Sequence, residues 1–407
     1  MPDEYNAEMI SRTRRTVRAA LVAFATLAIG VAAAGSAEAR PGQAHPGHAT
    51  PKAPLHYVYT QTNSATGNEV VGFGWNGSTL APIGTWTTGG TGTGTWLGSQ
   101  GSVVIEGNRL YVVNGASNDI SMFAIGKNGQ LRLLDREAVY GLKPVSVTVE
   151  GNRVVVLTTD QSTPCGGLMK CAPVQGEDCA GEGRCGVRLE DNLSLFRRHH
   201  DSLQLVSHVR LSGFGGAQVS FVGHPKHRRL VVTEKSSNTI ASVRIAKWAF
   251  GTPTSVASAG STPYGFGIAK HDTMVVSNAE SEVPGAGTVS SYSLRKKMIQ
   301  PVTSALATGQ QAPCWVAIGQ GGRTAYVSNP DSNTISLLRI GHRGALTLAA
   351  ASAGPTANGP IDLEVHKQLL FVTAWQTLQV HGIAADGTIS VLGGASIPDY
   401  SQGIAVK

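Results

Sequence analysis

An all-β fold is predicted: a seven-bladed β-propeller of four-stranded blades, closed by the C-terminal strand joining the N-terminal blade. Three observations predict it. One strand–turn–strand phrase returns three times, as "YVVNGASNDISMF" from Tyr111, "VVTEKSSNTIASV" from Val231 and "YVSNPDSNTISLL" from Tyr326. Two classes of short apolar strand each occur seven times. Their spacing also repeats, with 44 residues from Leu110 to Val154, from Leu230 to Met274 and from Ala325 to Leu369. A four-stranded unit of about 40–50 residues is the period of a propeller blade.

The opening strands are "GSVVI" at Gly101, "VSVTV" at Val145, "AQVSF" at Ala217, "YGFGI" at Tyr264, "CWVAI" at Cys314, "IDLEV" at Ile361 and "QGIAV" at Gln402. The second strands are "LYVVN" at Leu110, "VVVLT" at Val154, "LVVTE" at Leu230, "MVVSN" at Met274, "AYVSN" at Ala325, "LFVTA" at Leu369 and "YVYTQ" at Tyr57. The chain thus starts on a second strand and ends on an unpaired first strand. Joining those two closes the ring and removes its open edges. The repeated phrase is then a second strand, a top turn and a third strand. Its Asn, Ser, Gly and Asp residues suit positive φ and side-chain–backbone bonds.

Within the opening strands, Val103, Val147, Val219, Phe266, Val316, Leu363 and Ile404 are all apolar. The alternating set, Ser102, Ser146, Gln218, Gly265, Trp315, Asp362 and Gly403, is small or polar in most blades. That period of two predicts half-buried strands whose second set stands near the mouth of a central channel.

Composition agrees with such a fold. Of 407 residues, 41% are hydrophobic and 14% charged, which supports a sizeable core. Glycine, at 50 residues, supplies many tight turns. Residues 1–39 read as a signal peptide, of twin-arginine or general secretory type. Arg12, Arg14, Arg15 and Arg18 precede the uncharged "AALVAFATLAIGVAAA", and Ala37-Glu38-Ala39 supplies a cleavage site. The expected location is therefore the periplasm or the exterior, and no transmembrane anchor is expected. Residues 40–54 read as a flexible Pro/Gly/His linker. The propeller then runs over 55–407. The charge of +7 is moderate for this length, and no nucleic-acid partner is expected.

A Cys-rich insertion at about 160–190 interrupts the second blade. Cys165, Cys171, Cys179 and Cys185 lack the C-x2-C spacing of zinc sites, so two disulfides are expected, in any of three pairings. The insertion follows a second strand and should form a rim or lid on the top face. Cys314 reads as a buried, inert thiol. No metal site is expected.

Several stretches together resemble the seven-bladed lactonase-type propeller family, which includes 6-phosphogluconolactonase and carboxymuconate cyclase relatives. They are "GSQGSVVIEGNRLYVVNGASNDISMF", "PVSVTVEGNRVVVL", "LVVTEKSSNTI", "TPYGFGI", "CWVAI" and "PIDLEV". "YVVN" and "YVSN" echo the related YVTN repeats. The resemblance implies hydrolysis or closure of a lactone or sugar-acid ring, with neither redox cofactor nor metal. It also implies a small lactone or sugar-acid ligand. Where the catalytic branch of the family has G-P-R-H, this chain has Gly216-Ala217-Gln218-Val219. Glu234 falls where the family glutamate would. Lys143-Pro144-Val145-Ser146 lacks a histidine found in such enzymes.

Lactone hydrolysis needs a base for water and donors for the developing oxyanion. Glu234 and Asp362 are the candidate bases. Lys143, Gln218, Lys235, Tyr264, Trp315 and Gln402 are the candidate ligand-binding residues at the top of the channel. The plainer expectation is that Glu234 and Lys235 form a solvated turn and that Asp362 bonds backbone amides. On the bottom face, "RRHH" from Arg197, "HPKHRR" from His224 and Arg295-Lys296-Lys297 make a basic strip that reads as a solvated surface or as a dock for an anionic envelope polymer or lipid. The rival to catalysis is an envelope-associated binding propeller that holds a glycan or a protein partner.

Overall fold

The computed structural model describes residues 54–159, 191–223, 228–280, 283–295 and 298–407. The expected signal peptide, nearly all of the linker and the Cys-rich insertion with its four cysteines lie outside the described residues. So do His224, Lys296 and Lys297.

Seven antiparallel sheets follow one another along the chain. Their innermost strands, blades 1 to 7, are Val103–Glu106, Pro144–Glu150, Gly216–Val222, Pro263–Ala269, Trp315–Ile318, Asp362–His366 and Gln402–Val406. The second strands are Arg109–Asn114, Arg153–Thr158, Arg229–Glu234, Thr273–Asn278, Thr324–Asn329, Leu369–Ala374 and His56–Gln61. All fourteen coincide with the strands expected from sequence. In blade 3 the outer edge is divided: Ala249–Phe250 and Thr254–Ala257 both pair with Thr239–Ala246.

The ring closes as expected. Gln402–Val406 runs antiparallel to His56–Gln61, with Val58 opposite Val406 and Gln61 opposite Gln402. Tyr57 and Lys407 exchange two backbone hydrogen bonds at 2.9 and 2.8 Å.

The seven apolar inner-strand residues are buried between adjacent blades. Burying each such side chain contributes about 1.5–3 kcal/mol. The repeated phrase also behaves alike in its three copies. Asn118, Asn238 and Asn333 take the left-handed conformation, at φ 57°, 54° and 54°. Asn tolerates that conformation because its short side chain bonds locally. Here each Oδ1 accepts the N–H of the residue that enters the next blade: Lys143 at 2.8 Å, Thr262 at 2.6 Å and Gly359 at 2.7 Å.

The top of the channel is covered by the connection from blade 7 to blade 1. Leu97 N–H donates to Gln402 Oε1 at 2.7 Å, and Ser99 Oγ donates to Val145 O at 2.8 Å. Trp315 Nε1 donates to Ser99 O at 2.9 Å, and Lys235 Nζ donates to Gly98 O. Gln100 N–H donates to Ala217 O at 3.0 Å. The Gln100 side chain then pairs with Val316 as a strand would, donating to its carbonyl at 3.0 Å and accepting its N–H at 3.1 Å.

Below Gln100 lies a channel cavity of about 370 Å³. Exposure rises toward the C-terminal ends of most inner strands: Ile105, Val149, Ile318 and Val365 are half-buried, whereas Ser102, Ser146, Trp315 and Asp362 are buried. The channel therefore opens toward the bottom face.

Candidate functional site

Blades 1, 4 and 5 end their second strand in Asn114, Asn278 and Asn329, all fully buried. Each amide donates across the top turn to the third strand. Asn278 reaches Thr288 and Ser290 at 3.0 and 2.9 Å, and Asn329 reaches Thr334 and Ser336 at 3.1 and 2.9 Å. Asn114 reaches Asp119 and Ser121 at 2.5 and 2.8 Å.

Blade 3 departs from this ladder. Glu234 replaces the Asn, and Ala241 stands where blades 1, 4 and 5 have Ser. A carboxylate cannot donate, so the Thr239 hydroxyl donates to Glu234 Oε2 at 2.8 Å. Oε1 has no well-formed hydrogen bond, although Glu234 is 0% exposed. Burial raises its pKa above the usual carboxylate range, partly offset by Thr239 and the Gly213 N–H.

A second carboxyl stands near enough to feel the charge of this one. Asp191 is also fully buried, and neither of its oxygens has a well-formed hydrogen bond. Burial, then the charge of Glu234, pushes its pKa up to about 7, against weaker opposing contacts from Thr159, Gly216 and Lys235. Gly213 and Gly216 make this packing possible. A Cβ on Gly213 would sit 2.3 Å from Glu234 Oε2, and one on Gly216 would sit 2.8 Å from Asp191 Oδ2.

Lys235, half-buried, stands beside the pair with its Nζ 4.5 Å from the centre of the Tyr264 ring. Burial and then the charge of Lys143 lower its pKa to about 8, while Cys314 and Asp191 pull it back up. Tyr264 packs edge-on to Trp315 at 5.2 Å. Glu234, Lys143, Lys235 and Tyr264 thus gather on the top face beside blade 3, joined by Asp191. A carboxyl poised near neutrality and an amine of lowered pKa are the groups from which acid–base chemistry is built.

The remaining candidates sit elsewhere. Trp315 and Gln402 hold the covering segment. Asp362 and Gln218 line the channel below it. Asp362 Oδ1 accepts the Leu363 N–H at 2.8 Å, as the plainer expectation had it. Burial pushes the Asp362 pKa up to about 8. Glu364, two residues on and facing the same cavity, is also raised to about 8, by burial and then by Asp362. Gln218 Oε1 accepts the Phe266 N–H at 2.6 Å.

Asp191, Glu364 and Gln100 were not singled out from sequence. Glu364 was within reach, because strand alternation places it on the same face as Asp362. Asp191 follows the Cys-rich insertion, and no local pattern marks it.

On the bottom face, Arg197 and Arg153 stack on Trp248 at 5.0 and 5.7 Å. Arg228 pairs with Glu150, and the buried Arg229 donates to Leu294 O at 2.8 Å. Among the described residues no group of three or more His, Cys, Asp or Glu could hold a metal, and no helix is long and apolar enough to cross a membrane.

Fold and site together define a seven-bladed β-propeller with a buried carboxyl–amine cluster on its top face. Solved structures share that fold at low identity. A candidate 6-phosphogluconolactonase from Bacteroides fragilis matches with a TM-score of 0.65 and 15% identity, covering 88% of this chain and 99% of that one. One from Bacteroides uniformis matches at 0.64 and 15%, covering 86% and 99%. The periplasmic gluconolactonase of Pseudomonas aeruginosa matches at 0.60 and 13%, covering 86% and 98%. No family model and no curated protein matches the chain.

Proposed function

We propose that this propeller is an exported hydrolase, or cyclase, acting on a lactone or sugar-acid ring at the top-face cluster. One observation carries the reading. Where blades 1, 4 and 5 place an Asn–Ser ladder, blade 3 places Glu234 opposite Thr239 and sets Ala241 beyond it, with the buried Asp191 within reach of its charge. The ladder would have been the stable choice, because an unpaired buried carboxyl costs free energy. In the proposed reaction the Asp191–Glu234 pair takes a proton from water. The water oxygen adds to the lactone carbonyl, and Lys235 and Lys143 stabilise the oxyanion. Collapse of that adduct breaks the ring C–O bond, and the alkoxide takes up a proton to leave the hydroxy acid. The gluconolactonase neighbour supports the substrate class by likeness of fold.

Turnover over a panel of aldonolactones tests this. Glu234→Gln and Asp191→Asn should each lower kcat by about 100-fold or more. The rate should rise through about pH 7 as Asp191 ionises and fall above about pH 8 as Lys235 loses its proton. Absence of turnover with every lactone would overturn the reading.

The complete burial of both carboxyls favours a second reading, an envelope-associated propeller that binds a glycan or a protein without turnover. In that case sugar acids bind at Lys143 and Lys235 unchanged. The exposed Arg197, His199 and His200 would meet an anionic envelope polymer, and binding that ignored added salt would exclude that contact.

A further inference from the structure

We propose that the central channel binds a small organic ammonium ion, its charged head held by Asp362 and Glu364 and its hydrocarbon lying along the channel wall. The site is distinct from the top-face cluster, from which Gln100 and its neighbours separate it. Asp362 is 3% exposed, and its one side-chain hydrogen bond goes through Oδ1 to Leu363. Oδ2 has no hydrogen-bond partner among the described residues, and Asp362 lines the cavity. Glu364, two residues on, uses Oε2 to accept the Val406 N–H at 3.2 Å and has Oε1 to offer.

No Lys, Arg or His lines the cavity among the described residues, so nothing in the wall balances the two carboxyls once they ionise, at about pH 8. Elsewhere the lining side chains include Val104, Gly267, Ala317 and Ala405, with Ile105 and Ile318 toward the bottom opening, while polar atoms take the larger share of the exposed wall. Two carboxyls on one strand, with alkyl side chains on the neighbouring strands, match a cation that carries a short apolar body. They do not match a hard metal ion. Calcium takes six to eight oxygens, and no cluster of three or more candidate metal ligands is present among the described residues. An ammonium group has three donors, which Asp362, Glu364 and one water or carbonyl would satisfy.

Calorimetric titration of the full chain with n-hexylammonium above about pH 8, where Asp362 and Glu364 have ionised, tests the proposal, with hexanoate, methylammonium and calcium as comparison probes. Hexylammonium should bind, methylammonium more weakly, and hexanoate not at all. Asp362→Asn and Glu364→Gln should each weaken hexylammonium about tenfold or more, as loss of a charge-assisted hydrogen bond does. Ala317→Leu narrows the channel without changing charge, so it should weaken hexylammonium more than methylammonium. Thermal unfolding of each variant checks that the ring is intact. No hexylammonium binding to the parent protein would overturn the proposal. So would equal binding by a well-folded Asp362→Asn/Glu364→Gln double variant, or tighter binding of calcium than of hexylammonium.

Discussion

Asn118, Asn238 and Asn333 each do two things: they turn the chain at positive φ and hold the entry to the next blade. Asn238→Gly keeps the turn and loses the bond, whereas Asn238→Ala loses both. Chemical denaturation should show Ala more destabilising than Gly, at about 1–2 kcal/mol for Ala. These turns were legible in sequence because the phrase repeats. Glu234 was legible too, as the odd letter in that phrase. Asp191 was not, because its partnership with Glu234 exists only once two blades are side by side. For Asp362 the pH dependence is definite. Its pKa rises from 3.8 to about 8, so the folded state holds a proton that the unfolded chain has released between those values. Its contribution to stability is therefore greatest below pH 3.8 and is lost as pH rises toward 8. Asp362→Asn removes that slope. Its melting temperature should exceed the parent's by several degrees near pH 8, with the gain shrinking toward pH 4.

At the scale of elements, the segment through Leu97, Gly98, Ser99 and Gln100 decides which end of the channel is open. Gln402, Trp315 and Lys235 were expected at the channel mouth, and they stand there, but their polar atoms hold this segment. Strand alternation could place Trp315 on the axis, and blade topology could bring Gln402 and Lys235 to the same face. Neither could reveal what they meet, because the covering segment belongs to a connection outside the repeat. Gln100→Ala removes both bonds to Val316 and leaves that strand's N–H and C=O unpaired in the channel. The expected loss is about 1–3 kcal/mol. Hydrogen exchange should then speed up at Val316 and spare the third strand of the same blade. Equal acceleration throughout blade 5 would mean that the glutamine supports the whole sheet.

For the whole molecule, the number of blades and their closure were readable from counting alone: seven first strands, seven second strands, and one of each left over at opposite ends. The side on which a ligand could enter was not readable, since it depends on one non-repeating segment. Removal of residues 402–407 should leave His56–Gln61 with an open edge and blades 6 and 7 unsealed. Analytical ultracentrifugation should find such a chain self-associated at concentrations where the intact chain is not.

Thr60 and Gln402, bonded to one another across the seam, are 342 positions apart. Drawing ends that distant together costs roughly 5 kcal/mol of chain entropy before any contact repays it. On a ribosome the strand made first must wait for the one made last. Every nascent propeller therefore spends nearly its whole synthesis with a sticky flank exposed, which is when a holding chaperone has most to guard.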